Sequence, residues 1–160
     1  MENKLFYKKL FPLLTNYDLI PNSESDSYNC ISHTIHLKED ISWPIDTRHY
    51  WPTKRELTKE SFDLFYEHHG FEKLSILDFT YNENYTKVVL YTNNNIPTHA
   101  AIQIDNTYWE SKIGRLGIIR HDLFEIENDV YGEITQIYRK RNILKENLIF
   151  KFRDFIKIIN

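Results

Sequence analysis

The spacing of apolar residues changes at Gly70, and this change limits the folds open to the chain. Before Gly70, apolar residues recur at helical intervals, most clearly over residues 58–69, where Thr58 can cap the helix start and Gly70 can end it. After Gly70, residues 87–91 and 131–138 are rich in the β-branched and aromatic residues typical of strands. Helices followed by a mostly antiparallel sheet predict an α+β fold.

Two strands of the expected sheet belong to one hairpin, formed by residues 97–105 and 108–113. A short helix is expected to begin near Cys30, because Ile31 and Ile35 fall at helical spacing after polar residues that can cap its start. The only cysteine of the chain would then lie at the start of a helix.

Length and composition bound the remaining possibilities. The chain has 160 residues, which fits a single domain over 1–160, and the apolar spacing at its end predicts a C-terminal helix at 143–159. Its net charge of −3 provides no general attraction to nucleic acid or to an anionic membrane. No apolar run is long enough to cross a bilayer, and the N-terminus lacks the apolar core of a signal peptide. We therefore expect a cytoplasmic protein, or one delivered by a specialised secretion apparatus.

Cys30 is the residue best suited to chemistry. A helix start supplies partial positive charge and free amide groups, both of which favour the thiolate that acts as a nucleophile. The alternative is a cysteine that serves as a small buried hydrophobe. Cys30, His33 and His36 together suggest a metal, but ligands spaced in this way on one helix cannot easily surround a tetrahedral ion. We expect no metal and no cofactor.

His99 is the candidate proton acceptor, since it begins a strand and is followed by two small alanines. The alternative is a histidine that only bonds to backbone. Its orienting partner on the return strand depends on the hairpin loop: a two-residue loop places Glu110 and Lys112 on the His99 face, and one more loop residue places Ser111 there. Gln103 lies on the same face by alternation and could donate an amide hydrogen bond.

This order of a cysteine opening a helix, a histidine on a strand and a polar residue on the next strand resembles papain-like enzymes. The short form looks like the NlpC-type cysteine peptidases and related amidases and deamidases, and Ser111 follows His99 by twelve positions, close to the spacing in that group. The motifs Asn-Cys-Ile-Ser-His, Pro-Thr-His-Ala-Ala and Ser-Lys-Ile-Gly also resemble an uncharacterised bacterial domain family, over about residues 28–140. NlpC enzymes typically have Asp-Cys-Ser-Gly where this chain has Asn-Cys-Ile-Ser.

The resemblance implies a papain-like fold and a cysteine-dependent acyl-transfer reaction: amide hydrolysis or deamidation of a protein or peptide. Cys30 would attack, His99 would act as base and then acid, and Ser111 or Glu110 would orient His99. An aromatic loop with Trp43, Tyr50 and Trp51 is expected to form one wall of the cleft. The residues expected to bind substrate or support the site are Asn29, His33, Trp51, Gln103, Trp109 and Lys112.

By analogy, a bacterial effector or toxin domain with a cognate partner protein fits this reading. The alternative belongs to another class: a non-enzymatic protein-binding module, such as an immunity or adaptor protein. Tyrosine and tryptophan side chains would then anchor the interface, and Cys30 would be a packing residue.

Overall fold

The computed structural model of the chain describes residues 2–143 and residue 153. Within that part lie three helices and seven strands: α1 Glu2–Leu10, β1 Tyr17–Leu19, α2 Cys30–Thr34, α3 Lys59–His68, β2 Glu72–Lys73, β3 Tyr85–Asn93, β4 Ile96–Gln103, β5 Trp109–Lys112, β6 Ile118–His121 and β7 Glu133–Arg141. None of these helices has the length and apolar composition needed to cross a membrane. Of the predicted C-terminal helix at 143–159, residues 144–152 and 154–159 lie outside the described residues.

The seven strands form one sheet in the order β1-β6-β5-β4-β3-β7-β2, with every pair antiparallel. The long strands β3, β4 and β7 make its centre, and β3 pairs with both of the others. The predicted α+β class is therefore confirmed. The strands β1, β2 and β6 were not predicted, because segments of two to four residues are too short to show an alternating pattern.

Two apolar cores lie on the two faces of the sheet. On one face, α2 and α3 cover Val88, Leu90, Ala100 and Ile102. On the other face, α1 and the following loop cover a second set, which includes Val89, Tyr91, Ala101 and Trp109. Consecutive residues of β3 therefore enter different cores, which explains why this strand is buried on both sides and reads as a continuous apolar run.

The cap of α3 is where the sequence predicts it. Thr58 Oγ1 accepts the backbone N–H of Ser61 at 3.2 Å, and the chain leaves the helix at Gly70 with a φ of 82°. Phe62 and Phe65, from the apolar stripe of this helix, are fully buried in the core above the sheet. The predicted helix at residues 58–69 is therefore confirmed.

The hairpin of β4 and β5 has the longer of the two loops considered. Ile102 lies opposite Glu110, Gln103 lies opposite Trp109, and the backbone N–H of Ile104 donates to Tyr108 O at 3.0 Å. This register leaves three residues in the loop. It places Ser111 on the face of the sheet that carries Ala101, and it turns Glu110 and Lys112 to the opposite face.

Candidate functional site

Cys30 opens α2 and its side chain packs against the middle of the sheet. The Asn29 side chain caps this helix by accepting the backbone N–H of Ser32 at 3.0 Å. The backbone N–H groups of Ala100, Ile31 and Cys30 itself lie close enough to the sulfur to lower the pKa of the thiol. Ala100 directly follows His99 in β4, so the sulfur meets this strand one residue along the chain from the candidate base.

The electrostatics of this thiol differ from the sequence-based expectation. Burial raises the pKa of Cys30 to about 11, and the backbone N–H groups and the Lys112 charge offset only part of that effect. The expectation of a lowered thiol pKa took account only of the favourable charge at a helix start. However, α2 has only five residues and the cysteine is only 8% exposed, so burial determines the direction of the shift. At neutral pH Cys30 is therefore a protonated thiol.

A buried chain of hydrogen bonds runs from His99 on the face of the sheet that carries Ala101. His99 Nε2 lies 3.0 Å from Ser111 Oγ, and the same oxygen lies 2.8 Å from His121 Nε2. His121 Nδ1 lies 2.8 Å from the backbone carbonyl oxygen of Asp122. His99, Ser111 and His121 are each at most 1% exposed. We call these four residues the His99–Asp122 chain.

Burial keeps both histidines of this chain neutral. It lowers the pKa of His99 well below its usual value, and the nearby His121 and His33 lower it further. Burial likewise lowers the pKa of His121 to about 4. A neutral imidazole has one nitrogen without a proton, so His99 is able to accept one.

Glu110 is not brought to His99. On the opposite face of the sheet, its Oε1 lies 2.8 Å from His33 Nε2 and its Oε2 lies 3.0 Å from Arg120 Nε. Burial raises the pKa of this carboxyl, but the hydrogen bonds from His33 and Arg120 outweigh that effect and lower it overall. Of the two orienting partners considered for His99, the structure places Ser111 beside the ring.

Lys112 is fully buried on the side of Cys30, not on the His99 face that the shorter loop would have given. Its ammonium group donates to the backbone carbonyls of Ser25, Gly114 and Leu116 at 2.6–2.7 Å. These contacts join the loop before α2 to the turn after β5. The Lys112 charge also lowers the pKa of the Cys30 thiol, although by less than burial raises it.

Three other predicted support residues are held by contacts within the fold. Gln103 Nε2 donates to the backbone oxygen of Phe79 at 2.8 Å, and Trp109 packs in the core on the face of the sheet covered by α1. Trp51 stacks on Phe65, with ring centroids 4.2 Å apart. These three side chains stabilise the fold.

Across residues 2–143 and 153, no group of three or more histidine, cysteine, aspartate or glutamate side chains is arranged to hold a metal ion.

Tyr131 covers the His99 ring, a role that sequence reasoning missed. The two rings are parallel, with centroids 4.2 Å apart and an interplanar angle of 6°. Thr98 Oγ1 donates to the Tyr131 carbonyl at 2.5 Å, which ties this residue to β4. The next residue, Gly132, has a φ of +75°, and an added Cβ would lie 1.9 Å from Thr92 O, so only glycine fits there.

An open groove of about 680 Å³ begins beside Asn29, the residue before Cys30. Among the described residues it is lined by Asn29, Ile41, Trp43, Ile45, Asp46, Thr47, Arg48 and His49. Of the three aromatic residues expected to form a cleft wall, Trp43 lines this groove, whereas Tyr50 and Trp51 pack against α3. The groove therefore adjoins the residue before Cys30, and Cys30 is not among the residues that line it.

Comparison with known proteins places the chain in a family without an assigned activity. Residues 20–139, about three quarters of the sequence, match the family described as "Domain of unknown function (DUF7689)". The matched segment runs from the end of β1 into β7 and contains Cys30 and the whole His99–Asp122 chain. The protein therefore belongs to the DUF7689 family. No curated protein and no solved structure matches the chain.

Proposed function

We propose that the protein is a cysteine-dependent acyl-transfer enzyme with a papain-like arrangement of Cys30, His99 and Ser111. The observation that carries the proposal is the closeness of the Ala100 backbone N–H to the Cys30 sulfur, which lowers the pKa of the thiol and puts the sulfur against β4 at the residue that follows His99. A second support is the 3.0 Å contact between His99 Nε2 and Ser111 Oγ, since a catalytic histidine needs an orienting partner on its far nitrogen.

The reaction uses the neutral thiol and the neutral imidazole. The Cys30 sulfur bonds to the carbonyl carbon of an amide while its proton passes to His99. The carbon–nitrogen bond then breaks, and His99 returns the proton to the leaving nitrogen. Water attacks the resulting thioester and gives a proton to His99, the carbon–sulfur bond breaks, and the proton returns to the sulfur. If the leaving nitrogen is that of a side-chain amide, the product is ammonia and the reaction is a deamidation.

Proton transfer must accompany attack in this enzyme. With a thiol pKa of about 11 and a His99 pKa well below its usual value, a preformed thiolate–imidazolium pair is unfavourable. The backbone N–H groups of Cys30 and Ile31 lie beside the sulfur. From there they can donate to the substrate carbonyl oxygen, where negative charge develops as the carbon–sulfur bond forms. Lys112 adds a fixed positive charge from the same side of the sheet.

The proposed substrate is an amide of a protein or peptide that reaches Cys30 from the groove beside Asn29. This groove carries Trp43 for apolar contact and the Asp46–Arg48 ion pair, with a 2.7 Å contact, at its polar end. Such a surface suits an extended peptide better than a small apolar ligand. The effector or toxin role rests on resemblance and stays a prediction.

Acylation by p-nitrophenyl acetate tests the proposal without knowledge of the natural substrate. The expected result is a burst of p-nitrophenolate and an acetyl adduct on Cys30, seen by intact mass and absent in Cys30→Ala. His99→Gln should slow the burst roughly 100-fold, whereas the exposed His68→Gln control should not. If the parent protein is acylated no faster than His99→Gln, the proposed enzymatic function is contradicted.

One observation favours the second candidate function, protein binding. Several apolar side chains of the N-terminal segment are exposed, with Leu5 at 61%, Phe6 at 46% and Leu13 at 58%. Clusters of this kind mark interaction surfaces. If they bind a second copy, light scattering will show concentration-dependent association that Leu5→Glu and Leu13→Glu abolish. A monomer at all concentrations would argue against self-association through this segment.

A further inference from the structure

The protons of the His99–Asp122 chain can be assigned by starting from its last member. A backbone carbonyl oxygen only accepts hydrogen bonds. The 2.8 Å contact between His121 Nδ1 and Asp122 O therefore requires a proton on His121 Nδ1. This tautomer is set by the backbone and does not depend on the rest of the chain.

The second nitrogen of His121 then has no proton. The ring is 0% exposed, and among the described residues its hydrogen-bond partners are Asp122 O and Ser111 Oγ. Glu110 and Glu125 act on it only through space, and burial outweighs them in holding the pKa of His121 low. A neutral imidazole with its proton on Nδ1 presents Nε2 as an acceptor.

The Ser111 hydroxyl links the protonation of His121 to that of His99, because it can donate only one hydrogen bond. Its single proton is donated to His121 Nε2, 2.8 Å away, so its oxygen is left to accept from His99. His99 Nε2, 3.0 Å from that oxygen, must therefore carry the proton of the neutral His99 ring. The lone pair of His99 is consequently on Nδ1.

His99 Nδ1 is also available. It makes no hydrogen bond with any residue in the described part of the chain, whereas Nε2 is committed to Ser111.

We propose that His121 is a positioning residue that, through Ser111, holds the His99 proton on Nε2 and keeps Nδ1 free to receive the Cys30 proton. This inference rests on the proposed function for the role of Nδ1, but the proton order does not. Without an acceptor at position 121, the Ser111 proton can turn to His99 Nε2. The His99 proton would then move to Nδ1 and block the base.

Nitrogen NMR of the protein labelled with ¹⁵N-histidine tests the proton order directly. Long-range ¹H–¹⁵N correlation spectra at pH 7.5 should show His121 protonated on Nδ1 and His99 protonated on Nε2. In His121→Leu, which has no acceptor, the His99 proton should appear on Nδ1. In His121→Gln, whose side-chain oxygen can accept the Ser111 proton, it should stay on Nε2.

The outcomes separate this inference from the enzyme proposal. A parent spectrum with the His121 proton on Nε2, or an unchanged His99 in folded His121→Leu, overturns the inference. The parent spectrum and His121→Gln decide the question even if His121→Leu does not fold. Acetylation of Cys30 should fall roughly 100-fold in His121→Leu and recover in His121→Gln. If the spectra show the expected tautomers but Cys30 does not react, the inferred proton order is supported and the proposed enzymatic function is contradicted.

Discussion

Glu110 and Ser111 are neighbours in β5, yet their side chains join different polar networks on opposite faces of the sheet. Ser111 bonds to His99 and His121 on one face, and Glu110 bonds to His33 and Arg120 on the other. The sheet thus separates a neutral hydrogen-bonded chain from a charged cluster. Cys30 lies on the side of the charged cluster but meets β4 at the backbone of Ala100.

This separation predicts different consequences for two adjacent substitutions. Glu110→Gln weakens its contacts with His33 and Arg120 and should lower the free energy of unfolding by about 1–2 kcal/mol, since the carboxylate is only partly buried. It should leave acetylation of Cys30 within about threefold of the parent, because it does not touch the His99–Asp122 chain. Ser111→Ala should slow acetylation roughly tenfold or more.

Urea denaturation and the acetylation burst measure these two effects in the same samples. The pair is a matched comparison, since the two residues are adjacent in one strand and both substitutions are small. Equal losses of acetylation in Glu110→Gln and Ser111→Ala would contradict the assignment of Ser111 as the partner of His99.

The reactivity of the Cys30 thiol should rise only at high pH. Below its pKa the thiolate fraction falls tenfold per pH unit, so a pKa raised from 9.0 to about 11 lowers that fraction about 100-fold at pH 7. Alkylation by iodoacetamide should therefore be at least about 100-fold slower in the folded protein than in urea. An apparent pKa below 9 in the folded state would contradict the effect of burial.

His121 should make stability depend on pH in the acid range. Above pH 6.5 its ring is neutral in both the folded and unfolded states and contributes no pH dependence. Between pH 6.5 and about 4, only the unfolded chain takes up the proton, so the free energy of unfolding falls, by on the order of 3 kcal/mol in total. In His121→Gln this part of the fall should be absent.

Urea denaturation of the parent and His121→Gln at several pH values between 7.5 and 4.5 checks this effect. The carboxylates and the other histidines titrate in both proteins, so the difference between the two slopes isolates His121. Parallel curves for the two proteins would show that His121 is charged or exposed in the folded state.

The sequence predicts the parts of this fold that are governed by local pattern. The α3 cap at Thr58, the turn at Gly70 and the strands β3, β4 and β7 each follow from spacing and residue type within one segment. The choice between Ser111 and Glu110 does not, because one extra loop residue between β4 and β5 exchanges the faces of both.

The parts of the candidate site that were missed depend on contacts between distant segments. His121 lies in β6, a strand of four residues, and reaches Ser111 only because β5 and β6 pair. Tyr131 reaches His99 across the sheet from the loop before β7. The raised pKa of Cys30 likewise depends on how completely the core between α2, α3 and the sheet encloses the sulfur, a property of packing that a helix start does not reveal.

Tyr131 should control access to the candidate site. Its ring lies flat on His99. Burial raises the pKa of the Tyr131 phenol, and the thiolate form of Cys30 lies close enough to raise it further. Tyr131→Ala removes this cover and should raise the rate of Cys30 alkylation in the folded protein roughly tenfold, through easier local opening. The loss of a partly buried aromatic ring should also lower stability, by about 2 kcal/mol.

Tyr85→Ala is the matched control, since this tyrosine is also half-buried but lies in β3 away from His99. Its ring packs against Arg139, with Arg139 Cζ 4.7 Å from the ring centroid. Alkylation is measured by intact mass at pH 8.5 in conditions where thermal melts show each variant folded. A general loosening of the fold would raise the rate in both variants in proportion to their loss of stability. A rise confined to Tyr131→Ala assigns the effect to the ring that covers His99, and an unchanged rate there would mean that Cys30 is reached by another route.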